Sequence, residues 1–221
     1  KSLQFSVEKV NLPGQPFRSL VQYRNINTLY LRIIKADEAL KKALENEYEK
    51  YWPAIIAAQP LKTWQQALPA TNDLQQHSSE IKIEALPAGE YILAASNERD
   101  FSGKKTIIGA RFFYVSGISY VNNSNDFFVL NRDNGNPLAK AAIQVWEQKY
   151  DYKQSKYIKE KGKIYTADTN GFFKMDKAKR DNNSYSNYSY LLDISHNGDR
   201  LFMNDLVYDY YYYNEAATEE P

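Results

Sequence analysis

Two histidines are the side chains in this sequence best suited to acid–base catalysis, so their surroundings bear on whether a hydrolase site is present. A Ser-His-Asp site needs an imidazole beside a serine and a carboxylate. His77 and His196 both lie in turn-rich polar segments, and no G-x-S-x-G nucleophile motif accompanies either. The Asp and Glu residues are scattered, so no carboxylate pair for glycoside hydrolysis can be placed. The sequence therefore predicts solvated loop histidines and no enzyme.

Metal binding is the second kind of chemistry to consider. The chain has no cysteine, which excludes disulfides, thiolate metal sites and a cysteine nucleophile. The segments Asn131–Asn136 and Asp168–Gly171 hold possible calcium ligands, but neither continues into the calcium-loop pattern with its distal Glu. Asn, Asp and Gly are also the residues that tight turns prefer. We predict turns and no cofactor, with a calcium hypothesis kept open at Asp168.

Tyrosine is frequent, at 19 of 221 residues, and it alternates with lysine between positions 150 and 165. This pattern resembles a surface for single-stranded nucleic acid. The net charge of +1 argues against that function, and an edge hairpin whose charges discourage aggregation is the simpler interpretation. A carbohydrate- or protein-binding surface remains the alternative function. Its exposed aromatic residues would be Tyr152, Tyr157, Tyr208 and Tyr210–Tyr213.

The segment Ile81–Val115 contains three strand patterns joined by two turns, and the rest of the fold prediction is built on it. Apolar and charged residues alternate up to Leu86, and Pro87 and Gly89 then form a corner. Tyr91 opens the next strand directly after this corner. A tyrosine in this place, with its hydroxyl bonded back to the backbone, is the tyrosine corner of β-sandwiches.

A helical pattern interrupts the strands of the first half. Residues 37–52 repeat apolar side chains at helical spacing, with Asp37 as N-cap and Pro53 as the stop. We expect a shorter helix at Leu61–Leu68, between two prolines. The region 37–76 is thus predicted to be a helical insertion in the first sandwich. Its aromatic side could form a cofactor groove, but packing on the sheet is the better interpretation.

A second set of strands begins after Gly117, where we place a domain boundary. Turn residues separate these strands at 131–137 and 168–171, and the last strands precede a polar, acidic end. The predicted fold class is mainly β, with two tandem immunoglobulin- or fibronectin-III-like antiparallel β-sandwiches. The domains are 1–117, 118–213 and a flexible tail, 214–221. The residues predicted to be structurally important are Leu86, Gly89, Tyr91, Gly135, Pro137, Trp146, Asp168 and Gly171.

The order of three segments resembles bacterial members of the α2-macroglobulin family. The first is Val21–Arg32, similar to a strand pair of that family's β-sandwich modules, and the second is the strand-corner-strand at His77–Tyr91. The third is Leu130–Ala141 followed by Thr166–Phe172, similar to the pattern D-x-x-T-G-x-P-L-x-x-A … T-D-x-x-G of the next module. It departs from that pattern in detail, since Asn134 replaces the Thr.

The resemblance implies a scaffold function. Members of the family are long secreted or periplasmic proteins of tandem macroglobulin domains, which trap proteases through a cleavable bait region and often a Cys–Gln thioester. This chain has no cysteine, so no family functional residue transfers to it. The expected partners are neighbouring domains of a longer protein and, through them, proteases, in the periplasm or at the cell surface. No apolar run approaches the roughly 20 residues that cross a bilayer. The start at Lys1 fits a processed or excised piece.

Overall fold

The computed structural model describes residues 1–46, 48–71, 73–101, 106–151, 153, 155–176 and 188–209. In its described residues the chain is mainly β, as predicted. It divides into two compact units, Lys1–Gly117 and Ile118–Pro221. Neither helix in the described residues is long and apolar enough to cross a membrane.

Unit 1, Lys1–Gly117, contains two β-sheets and two helices in its described residues. A three-stranded sheet has the order β1-β3-β6, and a five-stranded sheet has the order β2-β8-β7-β4-β5. Its elements are β1 (Ser2–Val7), β2 (Val10–Asn11), β3 (Phe17–Arg24), β4 (Thr28–Lys35), α1 (Glu38–Asn46), α2 (Tyr48–Ala57), β5 (Lys62–Ala67), β6 (His77–Ile83), β7 (Gly89–Ser96) and β8 (Ile108–Val115).

The two sheets of unit 1 enclose one hydrophobic core. In β3 and β4 every second residue points inward, so that Val21, Leu29, Leu31 and Ile33 are at most 1% exposed. These side chains join Phe113 from β8 in one buried cluster. The strands predicted within Ile81–Val115 are present as β6, β7 and β8. A β-sandwich core therefore forms from the alternation seen in the sequence.

The helices cover the other face of the five-stranded sheet. Leu40, Leu44, Tyr51 and Trp52 pack there around the fully buried Ile55, against residues of β4, β7 and β8. The prediction that the aromatic side of the helical region packs on the sheet is confirmed. Unit 1 consequently has three layers, and its central strands are buried on both faces.

Side chains fix the position of α1 at two places. The carboxylate of Asp37 accepts a hydrogen bond from the Leu40 amide at 2.8 Å, which confirms it as the N-cap. The ammonium of Lys41 lies 2.6 Å from Glu38 and 2.9 Å from Glu90 of β7. Burial opposes the charge on Lys41, but the hydrogen bonds to these two carboxylates outweigh burial and raise its pKa.

The prediction that Pro53 ends the helical region is wrong. Pro53 lies inside α2, which continues to Ala57. A proline in a helix removes one backbone hydrogen bond and costs about 3 kcal/mol. Burial of Ile55, two residues after Pro53, offsets this cost, since a fully buried isoleucine contributes about 1.5–3 kcal/mol. The exposed proline ring itself faces solvent.

The predicted helix at Leu61–Leu68 is also wrong, because this segment forms β5. It pairs antiparallel with β4, with Thr28 opposite Ala67 and Ile33 opposite Lys62. Trp64 points inward and packs against the core between the sheets. The prolines on either side bound a strand as readily as a helix. The helical part of the predicted insertion 37–76 therefore ends at Ala57.

Unit 2, Ile118–Pro221, contains a three-stranded and a five-stranded sheet in its described residues. The first has the order β13-β10-β9; the second has the order β12-β11-β14-β15, and β16 also pairs with β14. Its strands are β9 (Ile118–Asn123), β10 (Asp126–Asn131), β11 (Ala142–Asp151), β12 (Lys156–Thr166), β13 (Phe172–Lys174), β14 (Tyr188–His196), β15 (Asp199–Phe202) and β16 (Val207–Asp209).

The core of unit 2 lies between these sheets and is formed by alternate residues of β10, β11 and β14. Phe127, Val129, Ile143 and Ile194 are completely buried. The predicted exposed hairpin at Tyr150–Lys161 is present as the β11–β12 connection and its flanking strands, though residues 152 and 154 lie outside the described residues. Most of the predicted loop 177–189, the end of the strand predicted at 204–213 and the tail 214–221 also lie outside them.

Candidate functional site

The two histidines do not form a catalytic site in the described residues. The Nε2 atom of His77 lies 3.0 Å from a carboxylate oxygen of Asp73, and this hydrogen bond lowers the pKa of Asp73. His196 ends β14 beside Ser195 and pairs with Asp199 across the β14–β15 turn. Consecutive strand residues point to opposite faces, so Ser195 and His196 cannot act together as nucleophile and base.

Asp168 organises a turn, as its flanking residues predict. One oxygen of its carboxylate accepts hydrogen bonds from the backbone amides of Asn170, at 2.8 Å, and Phe172, at 2.9 Å. The Gly171 amide donates to the Asp168 carbonyl at 3.0 Å. In the part of the chain that the structure describes, no three His, Cys, Asp or Glu side chains are grouped to hold a metal. The geometry of Asp168 is accounted for by this turn.

Gly171 lies where three backbone segments converge. Its carbonyl accepts the amide of Val129, at 2.8 Å, and the Val129 carbonyl accepts the amide of Leu138, at 2.9 Å. A Cβ on Gly171 would lie 2.3 Å from the Val129 oxygen and 3.4 Å from the Cα of Pro137, and its φ of +71° disfavours any other residue. Gly135 also has a positive φ, of +74°, but nothing lies within 4 Å of its missing Cβ.

The tyrosine corner of unit 1 is present with the predicted geometry. The hydroxyl of Tyr91 donates to the Pro87 carbonyl at 2.9 Å, and its ring stacks 5.7 Å from Phe113. Burial leaves the side chain 1% exposed and raises the pKa of its phenol. A Cβ on Gly89 would lie 3.2 Å from the hydroxyl oxygen, and Leu86 is buried beside the corner.

Trp146 lies on the outer face of the five-stranded sheet of unit 2. Its ring stacks on Phe202 with centroids 5.8 Å apart, and the buried Leu191 lies on the strand between them. Cations surround the pair: Lys161 is 5.5 Å from the Trp146 ring, and Arg200 is 5.3 Å from the Phe202 ring. The sequence predicts a structural role for Trp146 but does not reveal its partner Phe202, because their contact depends on strand order.

Two exposed tyrosines lie at the end of the β11–β12 hairpin. Tyr150 and Tyr157 are opposite each other in the register, and their rings meet edge to face at 5.1 Å. They are 41% and 64% exposed. Of the aromatic residues predicted for a binding surface, Tyr157 and Tyr208 are exposed, whereas Tyr152 and Tyr210–Tyr213 lie outside the described residues.

Unit 1 contains a polar cleft that the sequence analysis missed. It has a volume of about 420 Å³ and lies over β4 and β5, where the guanidinium of Arg32 stacks 4.0 Å from the centroid of Phe101. One feature of the sequence indicates this cleft. Arg32 is charged, although its neighbours on the same face of β4, Tyr30 and Ile34, pack in the cluster beneath the helices.

Comparison with solved structures shows what this architecture is similar to. A native α2-macroglobulin fragment from Escherichia coli, spanning domains MG0-NIE-MG1, superposes with a TM-score of 0.58 at 16% identity. The match covers 91% of this chain and 63% of that one. The chain has the fold of that fragment.

This match confirms the predicted resemblance to bacterial α2-macroglobulins at the level of fold. E. coli α2-macroglobulin activated by porcine elastase matches at 14% identity with a TM-score of 0.34, over 97% of this chain and 22% of that chain. Salmonella α2-macroglobulin reacted with methylamine matches at 12% identity with a TM-score of 0.35, over 95% and 16%. No family model matches the chain, and neither does any curated protein.

Replacing Tyr91 with Phe tests the tyrosine corner of the macroglobulin fold. The variant loses the hydrogen bond that the buried phenol donates to the Pro87 carbonyl, so the free energy of unfolding should fall by about 1 kcal/mol. Urea denaturation followed by circular dichroism measures this change. Tyr157→Phe, at an exposed site, should change stability by less than about 0.5 kcal/mol. Equal effects of the two substitutions would contradict the assigned role of Tyr91.

Replacing Gly171 with Ala tests the junction of the three backbone segments. The new Cβ meets the Val129 carbonyl, so unit 2 should lose roughly 3 kcal/mol or more of stability. Gly135→Ala is the matched control: it has almost the same φ but open space, and should cost only about 1–2 kcal/mol. The difference in stability loss between the two variants, measured from their melting curves, gives the cost of the steric contact alone. If both variants lose the same stability, the contact is not significant.

Proposed function

We propose that the chain is a non-catalytic pair of β-sandwich modules that scaffold a longer, α2-macroglobulin-like protein. The observation that carries this proposal is the fold match to the E. coli fragment over nearly the whole chain. The chain spans 63% of that solved fragment. The activity that we propose is therefore that of a longer protein, to which this chain contributes two domains. The partners of this chain are the neighbouring domains of that longer protein. Through those domains it also acts on the proteases that a macroglobulin shell encloses.

The physical contribution of these modules is rigidity. A cleavage elsewhere in a large shell becomes a large movement only if the intervening domains move as bodies. Unit 1 suits this function because helices and a second sheet bury the two faces of its central strands. The tight Pro137–Gly171 junction has the same effect on unit 2. The resemblance to bacterial α2-macroglobulins supports the proposal that such a protein works in the periplasm or on the cell surface of a bacterium.

The side chains suited to catalysis have structural roles in the described residues, which supports a non-catalytic function. The carboxylate of Asp168 is bonded within its turn, and His77 pairs with Asp73 on the surface. Ser195 and His196 point to opposite faces of β14. The proposal therefore does not require these groups to act on a substrate.

A carbohydrate-binding module is the second candidate function. The exposed Tyr150–Tyr157 pair favours it, because sugar rings stack on exposed aromatic side chains. A clear hit on a glycan array that Tyr157→Ala abolishes would support this function over a pure scaffold.

A protease assay tests the scaffold proposal. The isolated chain and the complete product of its gene are each incubated with elastase, and cleavage of a large protein and of a small peptide is followed. We expect the complete product to protect the large substrate while the small one is still cleaved, because an enclosed protease excludes only large molecules.

The isolated chain serves as the control and should change neither rate. A complete product that protects neither substrate would contradict the macroglobulin-like function. Inhibition or substrate turnover by the isolated chain would contradict the non-catalytic scaffold.

A further inference from the structure

Arg32 is a partly buried residue whose guanidinium has no acidic partner among the described residues. It projects from the outer face of β4 and lies 4.0 Å from the ring centroid of Phe101. Its hydrogen bonds go to the carbonyls of Ile56 and Arg99, both at 3.4 Å. No Asp or Glu in the described residues forms an ion pair with it. These two carbonyl contacts are long and leave N–H donors of the partly buried guanidinium available, so an anion would complete this arrangement.

The cleft beside this guanidinium has the composition of an anion site. Its volume of about 420 Å³ lies within the range of small-molecule pockets. Among the described residues, two arginines line it and no carboxylate does, while its other polar side chains can each donate a hydrogen bond. Its lining includes Tyr30, Arg32, Thr63, Gln65, Arg99 and Phe101.

We propose that this cleft binds a small molecule bearing an oxyanion, either a carboxylate or a phosphate. A guanidinium presents several N–H donors in a planar fork that matches two oxygens of one such group. Arg32 supplies this fork against Phe101, and Arg99 adds a second charge at the rim. Thr63 lies opposite Arg32 in the β4–β5 register and supplies a hydroxyl. The site is independent of whether the chain acts as a scaffold.

Arg32 also has a structural contact that the experiment must separate from binding. The Ile56 carbonyl belongs to the last turn of α2, where a positive charge is favourable. The hydrogen bond to Ile56 uses one nitrogen of the guanidinium, and the distance of 3.4 Å between that nitrogen and the carbonyl oxygen is long. A purely structural Arg32 would influence the melting temperature but would give no saturable anion binding.

Calorimetric titration of the whole chain with inorganic phosphate, glucuronate and uncharged glucose tests the proposal. At least one of the two anions should bind saturably and glucose should not, and the tighter anion identifies phosphate or carboxylate as the preferred group. Arg32→Gln should weaken anion binding about tenfold to a hundredfold, the effect of losing charged hydrogen bonds. Arg24→Gln removes the same charge at an exposed site and should leave affinity within about twofold.

Thr63→Val tests the same cleft without altering Arg32. It should weaken anion binding severalfold, and this result supports the site even if Arg32→Gln does not fold. The proposal is overturned if neither anion binds the unmodified chain saturably, if glucose binds as well as glucuronate, or if the Arg32 and Thr63 variants both bind like the unmodified chain.

Discussion

Burial of strand β7 on both faces is the constraint on which the rest of unit 1 depends. From Tyr91 to Ser96 every residue is buried, because the sheet β1-β3-β6 covers one face and the helices α1 and α2 cover the other. Strands this apolar would be insoluble without both covers. The helical region is therefore a required third layer of this sandwich. Where that layer ends, the outer face of β4 opens into the cleft that contains Arg32.

Much of the fold could be predicted because its signals are local. Alternation along β3, β4 and β6 and the corner before Tyr91 each lie within a few residues. The two errors, at Pro53 and at Leu61–Leu68, arise from contacts distant in sequence. Burial of Ile55 keeps α2 helical beyond its proline, and pairing with β4 makes β5 a strand. The intrinsic helix and strand propensities of these residues include neither the burial of Ile55 nor the pairing with β4.

The candidate sites also divide into features with local causes, which could be predicted, and features that depend on contacts distant in sequence. The turn at Asp168 and the glycine at 171 follow from turn chemistry, which residue types alone indicate. The cleft at Arg32 could not be predicted, because its character depends on where the acidic residues lie in the fold. Glu90 pairs with Lys41, across 49 positions, and Glu80 pairs with Arg18, across 62. No spacing in the sequence reveals that Arg32 has no such partner among the described residues.

Hydrogen exchange along β7 in the intact chain tests most directly whether unit 1 is a rigid layered body. With both faces covered, the backbone amides of β7 should exchange only when the whole unit unfolds. Their exchange free energy should then equal the free energy of unfolding that urea denaturation gives for unit 1. Exchange of these amides through local openings, at a clearly lower free energy, would contradict the account.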